Sequence, residues 1–313
     1  MSELVVNIQN LVKRYQDLLA VDHFHLAIQE GEILGLLGPN GSGKTTTLHC
    51  LLALLTYDKG TIEVFGKTMA PDSYDSKQNI GIIPQDVAVF EELTVQENVD
   101  YFCSLYVRSK EERKRLVKEA IAFVGLEDYL KFYPKKLSGG LLRRLNIACG
   151  IAHKPKLIIM DEPTVAVDPQ SRNSILEGIR QLNEAGATII YTSHYMEEVE
   201  QICSRIVIMD QGRNLAEGTK EELKMMIKTG ETIRIEILNL EGAQLQGVRT
   251  LKHVFAVSYE DSMLTVRCRR GSHNLITILN YLNDNEIVCG RVFSELPTLN
   301  DVFLEITGKE LRD

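Results

Sequence analysis

Apolar and polar positions alternate or cluster through residues 5–11 and 24–28, whereas residues 33–37 are apolar without interruption. Alternation of period two marks a strand with one buried face, and a short unbroken run marks a strand covered on both faces. The opening of the chain therefore predicts an antiparallel pair, a turn at Gln29-Glu-Gly-Glu32, and a buried strand at 33–37. Residues 45–55 carry a strongly apolar side and predict a helix. Asp58-Lys-Gly-Thr61 predicts a turn before a strand at 61–65, and a further strand at 79–83 is stopped by Pro84. From residue 93 to about 134 the period becomes helical. A charged stretch at 110–115 is followed by Leu116, Val117, Ala120, Ile121 and Val124 on one apolar face, so a helical insert over about 93–150 is expected. Strands at 157–160 and 187–192 then alternate with helices at 170–183 and from Met196 onward. Segments 205–209 and 213–216 flank Asp210-Gln-Gly212, a hairpin signal. Strands alternating with helices imply a mainly parallel sheet with helices on both faces.

The pattern changes at Lys228-Thr-Gly-Glu231. Beyond it come strands at 232–238, 254–259, 263–269 and 288–293, with helices at 275–282 and 299–306. The expectation is an α/β domain over 1–228 and a small α+β unit over 231–313. At 313 residues and 44% hydrophobic, the chain has length and apolar content for both cores. A net charge of −8 speaks against sequence-independent binding to nucleic acid, and no such partner is expected. The six cysteines form no C-x-x-C pair, and Cys50, Cys103 and Cys149 fall in expected helices, as buried thiols of a reducing compartment do. The segment Met1-Ser-Glu-Leu-Val-Val-Asn is not a signal peptide. The longest apolar run, near 48–55, is far short of the ~20 residues that span a bilayer. A soluble, cytoplasmic chain is expected, with any membrane role supplied by a partner.

Chemistry concentrates at three places. Gly38-Pro39-Asn40-Gly41-Ser42-Gly43-Lys44-Thr45-Thr46 fits the phosphate-binding pattern G-x-x-x-x-G-K-[ST], between the expected buried strand and helix. Such a loop wraps phosphates with its own N–H groups, and Gly41 and Gly43 leave that backbone bare. The helix start points its positive dipole end at the anion. Lys44 reaches the β- and γ-phosphates, and the Thr45 hydroxyl is placed to ligate Mg²⁺. Second, the strand at 157–160 delivers Asp161 and Glu162 at its C-terminal end, where ligands sit in open α/β sheets. Asp161 is expected to hold Mg²⁺. Glu162 is expected to orient or deprotonate a water aimed at the γ-phosphate. Third, Ser138, Gly139 and Gly140 open another expected helix and expose a second set of free N–H groups. Ser-Gly-Gly alone is a common cap and turn; about twenty residues before Asp161, in a chain with a phosphate loop, it means more.

With these motifs the chain closely resembles the ATP-binding subunit of ABC transporters, over residues 4 to about 228. The resemblance implies a P-loop ATPase fold, with a mainly parallel sheet, an antiparallel β subdomain and a helical insert. It implies ATP as ligand, with Tyr15 stacked on adenine and Gln85 joining Mg²⁺ and water to the transporter interface. It also implies that 137–141 is the signature loop, that Val165-Ala-Val-Asp168 crosses the dimer, and that His194 contacts the γ-phosphate. Position 141 is Leu where the family usually has Gln, or Met in some relatives, which removes a ribose contact but leaves the γ-phosphate contacts of Ser138 and Gly140. Each ATP would then be clamped between the phosphate loop of one copy and the signature loop of a second, identical or paralogous, copy. The tail Leu296-Pro-Thr-Leu-Asn-Asp-Val-Phe-Leu-Glu-Ile-Thr-Gly308 and the stretch Phe90-Glu-Glu-Leu-Thr-Val-Gln-Glu-Asn98 resemble ATPases of the ABC-2 group, which serve drug- and antibiotic-resistance exporters.

Two other readings compete with a transport ATPase peripheral to the inner face of the cell membrane. One is a non-transport ATPase acting on ribosomes or DNA; its relatives usually carry two cassettes, or coiled-coil or basic inserts, and this chain has one cassette and no heptads. The other is a regulatory module that binds nucleotide without turnover, against which Glu162 and His194 stand. Cargo is not encoded here.

Overall fold

Residues 33–37 are buried at every position, as a strand covered on both faces must be. The computed structural model describes residues 4–308; positions 1–3 and 309–313, at the ends of the two expected domain spans and including the first residues of the N-terminal segment, lie outside the described residues. The chain opens with β1 (Leu4–Tyr15), β2 (Leu18–Gln29) and β3 (Ile33–Leu37), then α1 (Lys44–Leu51), β4 (Lys59–Val64), β5 (Lys67–Thr68), α2 (Tyr74–Lys77) and β6 (Ile80–Ile83). The insert follows as α3 (Val95–Ser104), α4 (Lys110–Phe123) and α5 (Gly139–Ile151). Next come β7 (Leu157–Asp161), α6 (Pro169–Glu184), β8 (Thr188–Ser193), α7 (Met196–Ile202), β9 (Arg205–Asp210) and β10 (Arg213–Gly218).

Two sheets form the first unit. An antiparallel one runs β2-β1-β4-β5, and a six-stranded one runs β10-β9-β3-β8-β7-β6, parallel except at the β9–β10 hairpin. That hairpin turns on Gln211 and Gly212, both at positive φ (48° and 80°), as a tight two-residue connection requires. One apolar core joins the two sheets and α1, through Phe24, Leu48, Leu51, Ile159, Ile190 and Val207. The insert has its own core, in which Val95 and Val99 of α3 meet Leu116 and Ile121 of α4 and Leu145 of α5. Register aligns the ends of the central strands: Leu36 lies beside Thr192, and Thr192 beside Asp161. The C-terminal ends of β3, β7 and β8 are thereby brought together.

The second compact unit begins at Lys220, ahead of residues 228–231 where the sequence pattern changes. The reason is α8 (Lys220–Met226), which packs with the last helix of the same unit. The remaining elements are β11 (Thr229–Glu236), α9 (Gly242–Arg249), β12 (Val254–Glu260), β13 (Met263–Arg269), α10 (Asn274–Asp284), β14 (Val292–Glu295) and α11 (Leu299–Thr307). The β11-α9-β12-β13-α10-β14 succession with antiparallel sheet order β12-β13-β11-β14 is a split βαβ, ferredoxin-like arrangement. Ile233, Ile235, Val266, Ile278 and Leu282 fill its core.

Three local expectations shift. The helix expected at 45–55 ends at Leu51, because Ala53 takes a left-handed φ of 53°. The strand expected at 288–293 occupies 292–295, since Val288 is 85% exposed and only Val292 to Glu295 pair with β11. Helices α8 and α9 were not expected from the pattern; α9 buries a single residue, Val248.

Candidate functional site

The loop between β3 and α1 is held from below. Gly212 N donates to Ser42 O at 2.9 Å and Ser42 N to Pro39 O at 3.1 Å. Gly43 caps α1 at φ 105°, and a Cβ there would meet Ala20 O at 2.5 Å, so only glycine turns the chain into the helix at this point. The helix start has no side-chain cap and no acidic residue in its first turn. Ser42 Oγ, in a residue 2% exposed, has no hydrogen-bond partner among the described residues. A helix start with free N–H groups, an orphaned buried hydroxyl and no acid in the helix's first turn suit a bound anion. Gly38, Pro39, Asn40, Gly41, Ser42, Gly43, Lys44, Thr45 and Thr46 thus stand together as one cradle. The Lys44 side chain folds under it, donating to Gly38 O at 2.7 Å and Pro39 O at 3.2 Å.

The two acids lie against this cradle. Thr45 Oγ1 donates to Asp161 Oδ2 at 3.0 Å, and Lys44 Nζ is 3.7 Å from Glu162 Oε1. Burial pushes the Lys44 ammonium below its ordinary pKa, and the Glu162 and Asp161 carboxylates oppose that push. The other oxygen of Asp161 accepts from Thr192 Oγ1 at 2.6 Å, and Glu162 N donates to the same hydroxyl at 2.9 Å. Thr192 therefore ties β8 to both acids, as its place opposite Asp161 in the ladder allows. His194 Nδ1 lies 3.3 Å from Glu162 Oε2 without the alignment of a hydrogen bond. Lys44, Thr45, Asp161, Glu162 and His194 are one cluster, built at the ends of three adjacent strands.

Other expected residues sit elsewhere. Ser138 caps α5, accepting from Leu141 N at 3.3 Å, and opens a second helix start with Gly139 and Gly140. A Cβ at Gly140 would lie 2.6 Å from Ser171 Oγ and 3.3 Å from Asp168 Oδ2, so this loop abuts the start of α6. Asp168 caps that helix, accepting from Ser171 N at 2.9 Å, which holds its carboxyl below the usual range. Among the described residues no hydrogen bond or ion pair joins 138–140 to 38–46. Leu141 packs into the apolar core of the insert. Tyr15 is half-exposed at the end of β1, with Lys13 Nζ 5.2 Å from its ring centre. The Gln85 side chain is exposed, and the backbone carbonyl of Gln85 accepts from Arg143 Nη1 at 2.7 Å. No hydrogen bond among the described residues brings Tyr15 or the Gln85 side chain to the acids.

Motif reading overlooked Thr192 and Glu198. Both follow from a general demand: hydroxyls on a strand buried throughout must find partners. Thr192 faces one side of β8; Tyr191 and Ser193 face the other and meet Glu198. No group of three His, Cys, Asp or Glu side chains among the described residues forms a metal site.

The ABC transporter family matches residues 21–165 of the chain. The linearmycin resistance ATP-binding protein LnrL of Bacillus subtilis is 39% identical, across 97% of this chain and 99% of its own length. The Nod factor export ATP-binding protein I of Ralstonia nicotianae is 33% identical, across 99% of this chain and 95% of its own. A bacterial ABC transporter cassette solved as a dimer superposes with a TM-score of 0.64 at 28% identity, covering 68% of this chain and 98% of that one. A dimeric post-hydrolysis state of such a cassette, bound to ADP and Pi, gives 0.63 at 28%. Identity at this level along the whole of both chains fixes the family: this chain belongs to the ABC transporters, as an ATP-binding subunit that hydrolyses ATP.

Proposed function

We propose that this subunit works as a dimer and drives export through a separate permease of the ABC-2 type, from the inner face of the membrane. Two features support this. No helix among the described residues is long and apolar enough to cross a membrane, and on this reading the path for cargo belongs to another chain. Relatives whose names state linearmycin resistance and Nod factor export match nearly the full length, C-terminal unit included.

The catalytic part of the proposal rests on one juxtaposition, the five side chains gathered at the ends of β3, β7 and β8. The cradle at 38–46 binds the triphosphate, with Lys44 turned toward its outer phosphates. Thr45 Oγ1 and Asp161 Oδ2, already adjacent, are hard oxygen donors of the kind that would hold Mg²⁺ together with phosphate oxygens. The ion, when bound, neutralises charge that builds on the phosphate oxygens. Glu162 aligns the attacking water and takes up its proton, and His194 beside it contacts the γ-phosphate. Tyr15 supports the adenine, and Gln85 links the site to the permease. Ser138, Gly139 and Gly140 serve the ATP of the other copy, with Asp168 at the crossing point, which accounts for their separation from the cradle of their own chain.

Two measurements test it. A tagged copy at native expression is expected to bring down a polytopic membrane protein, and recovery without any integral membrane partner overturns the export reading. Glu162→Gln is expected to bind ATP normally and lose roughly 10²–10⁴-fold in turnover, the usual worth of a positioned base. Unaltered turnover removes Glu162 from that role.

A further inference from the structure

Glu198, on α7, belongs to none of the nucleotide motifs, yet it is 3% exposed. Its Oε2 accepts from Tyr191 OH at 2.7 Å, Thr164 Oγ1 at 2.8 Å and Ser193 Oγ at 2.9 Å. Its Oε1 faces Arg172 Nε of α6 at 3.3 Å. A buried carboxylate needs such company, because an ionised acid removed from water is costly unless paired and hydrogen-bonded. The origin of its partners is more informative. Thr164 stands two residues beyond Glu162, and Ser193 immediately precedes His194. Tyr195, on the other side of His194, is held as well: its N–H donates to Ser193 Oγ at 2.9 Å, and its ring lies under the Arg172 guanidinium at 4.6 Å. The His194 ring packs on Tyr195 at 4.1 Å between centroids. Both neighbours of His194 and the loop leaving Glu162 are therefore fastened, directly or through Arg172, to one carboxylate.

We propose that Glu198 is a positioning residue for ATP hydrolysis, fixing the segment that carries Glu162 and the segment that carries His194 in one mutual register. This rests on the roles given above to Glu162 and His194. Glu198 touches neither of them; it sets the frame in which they lie 3.3 Å apart. Small displacements matter there, since a reacting geometry lost by about 1 Å costs up to roughly 10²-fold.

The test uses the full chain with ATP and compares kcat with nucleotide affinity. Glu198→Gln keeps the shape, removes the charge that faces Arg172 and places an amide among three hydroxyl donors. It is expected to lower kcat by about ten-fold or more with ATP affinity within about three-fold. Thr164→Val and Ser193→Ala each remove one tether and are expected to lower kcat less. In the Glu198→Gln background Thr164→Val is expected to cost nothing further, because the shared hub is already gone. Full turnover in Glu198→Gln overturns the proposal. If that variant fails to fold, Thr164→Val and Ser193→Ala decide: both folded with unchanged kcat overturns it, and reduced kcat at unchanged affinity supports it. Glu162→Gln measured in parallel separates the two readings. If it retains turnover, the base is misassigned; if it loses turnover while Glu198→Gln keeps it, only the hub is wrong.

Discussion

Lys44 carries opposing demands in one side chain. It is 6% exposed, burial works against its charge, the neighbouring carboxylates oppose that effect in part, and two loop carbonyls accept its hydrogen bonds. Lys44→Ala removes the only side-chain cation shown in the cradle and is expected to lower ATP affinity itself, read by calorimetric titration; unchanged affinity contradicts the phosphate assignment. His153 shows the same physics outside the site. Its Nε2 meets Ile80 O at 3.2 Å and its ring stacks on Tyr106 at 3.8 Å. Burial lowers its pKa from 6.5 to about 4. A histidine kept neutral in the fold stabilises fully above its unfolded value, and that stability is lost as pH falls from 6.5 toward 4, because the unfolded chain takes up the proton first. Thermal stability is expected to decline over that window and to decline less in His153→Phe, which keeps an aromatic stack and cannot titrate; parallel curves for the two proteins rule the effect out. The loop residues 38–46 were legible because their types and spacing follow from phosphate chemistry. His153 was not, since nothing local to its position reveals that Tyr106 covers it.

Among elements, α5 does more than begin at Ser138. Arg143, 6% exposed, donates from Nη1 to Pro84 O at 3.1 Å and Gln85 O at 2.7 Å. Asn146, one turn on, donates to Pro84 O at 3.3 Å and accepts from Ala88 N at 3.1 Å. The helix that starts with Ser138 thus grips the backbone around Gln85. Arg143→Met is expected to cost about 1.5–3 kcal/mol, the worth of hydrogen bonds to a charged donor, and to speed hydrogen exchange at 84–88. Protection that does not change there contradicts the grip. Periodicity located α4 through its apolar face at 116–124, and runs of apolar residues located β3, the first four positions of β7 and the centre of β8. It failed for α9, whose Gly-Ala-Gln-Leu-Gln-Gly-Val-Arg sequence has glycine at two positions and one buried residue. What fixes α9 is a reciprocal cap between Glu241 and Gln244 and packing on its neighbours, neither of which has a period.

For the molecule as a whole, the proposed dimer takes the separation of 138–140 from 38–46 to mean that each chain is half of two sites. ATP is expected to convert Glu162→Gln protein from monomer to dimer in light scattering. Ser138→Arg in the same background is expected to abolish that change, and persistence of the dimer counts against the shared pocket. The C-terminal unit has a separate apolar core, so residues 220–313 alone are expected to fold, with a cooperative urea transition. The change from alternating strand and helix to β-branched runs was legible at 228–231. Helix α8 before it was not, because it is short and mostly exposed, and contact with α11 rather than pattern assigns it to the second unit.

Glu162 adopts a left-handed backbone, φ 47°, while 6% exposed. Such a conformation costs an ordinary side chain about 1–2 kcal/mol, and glycine adopts it freely. Selection for heat tolerance alone would drift toward glycine at this position and yield a sturdier protein with no carboxylate beside its phosphate loop. Any stabilised variant of this ATPase should therefore be sequenced at position 162 before its resilience is admired.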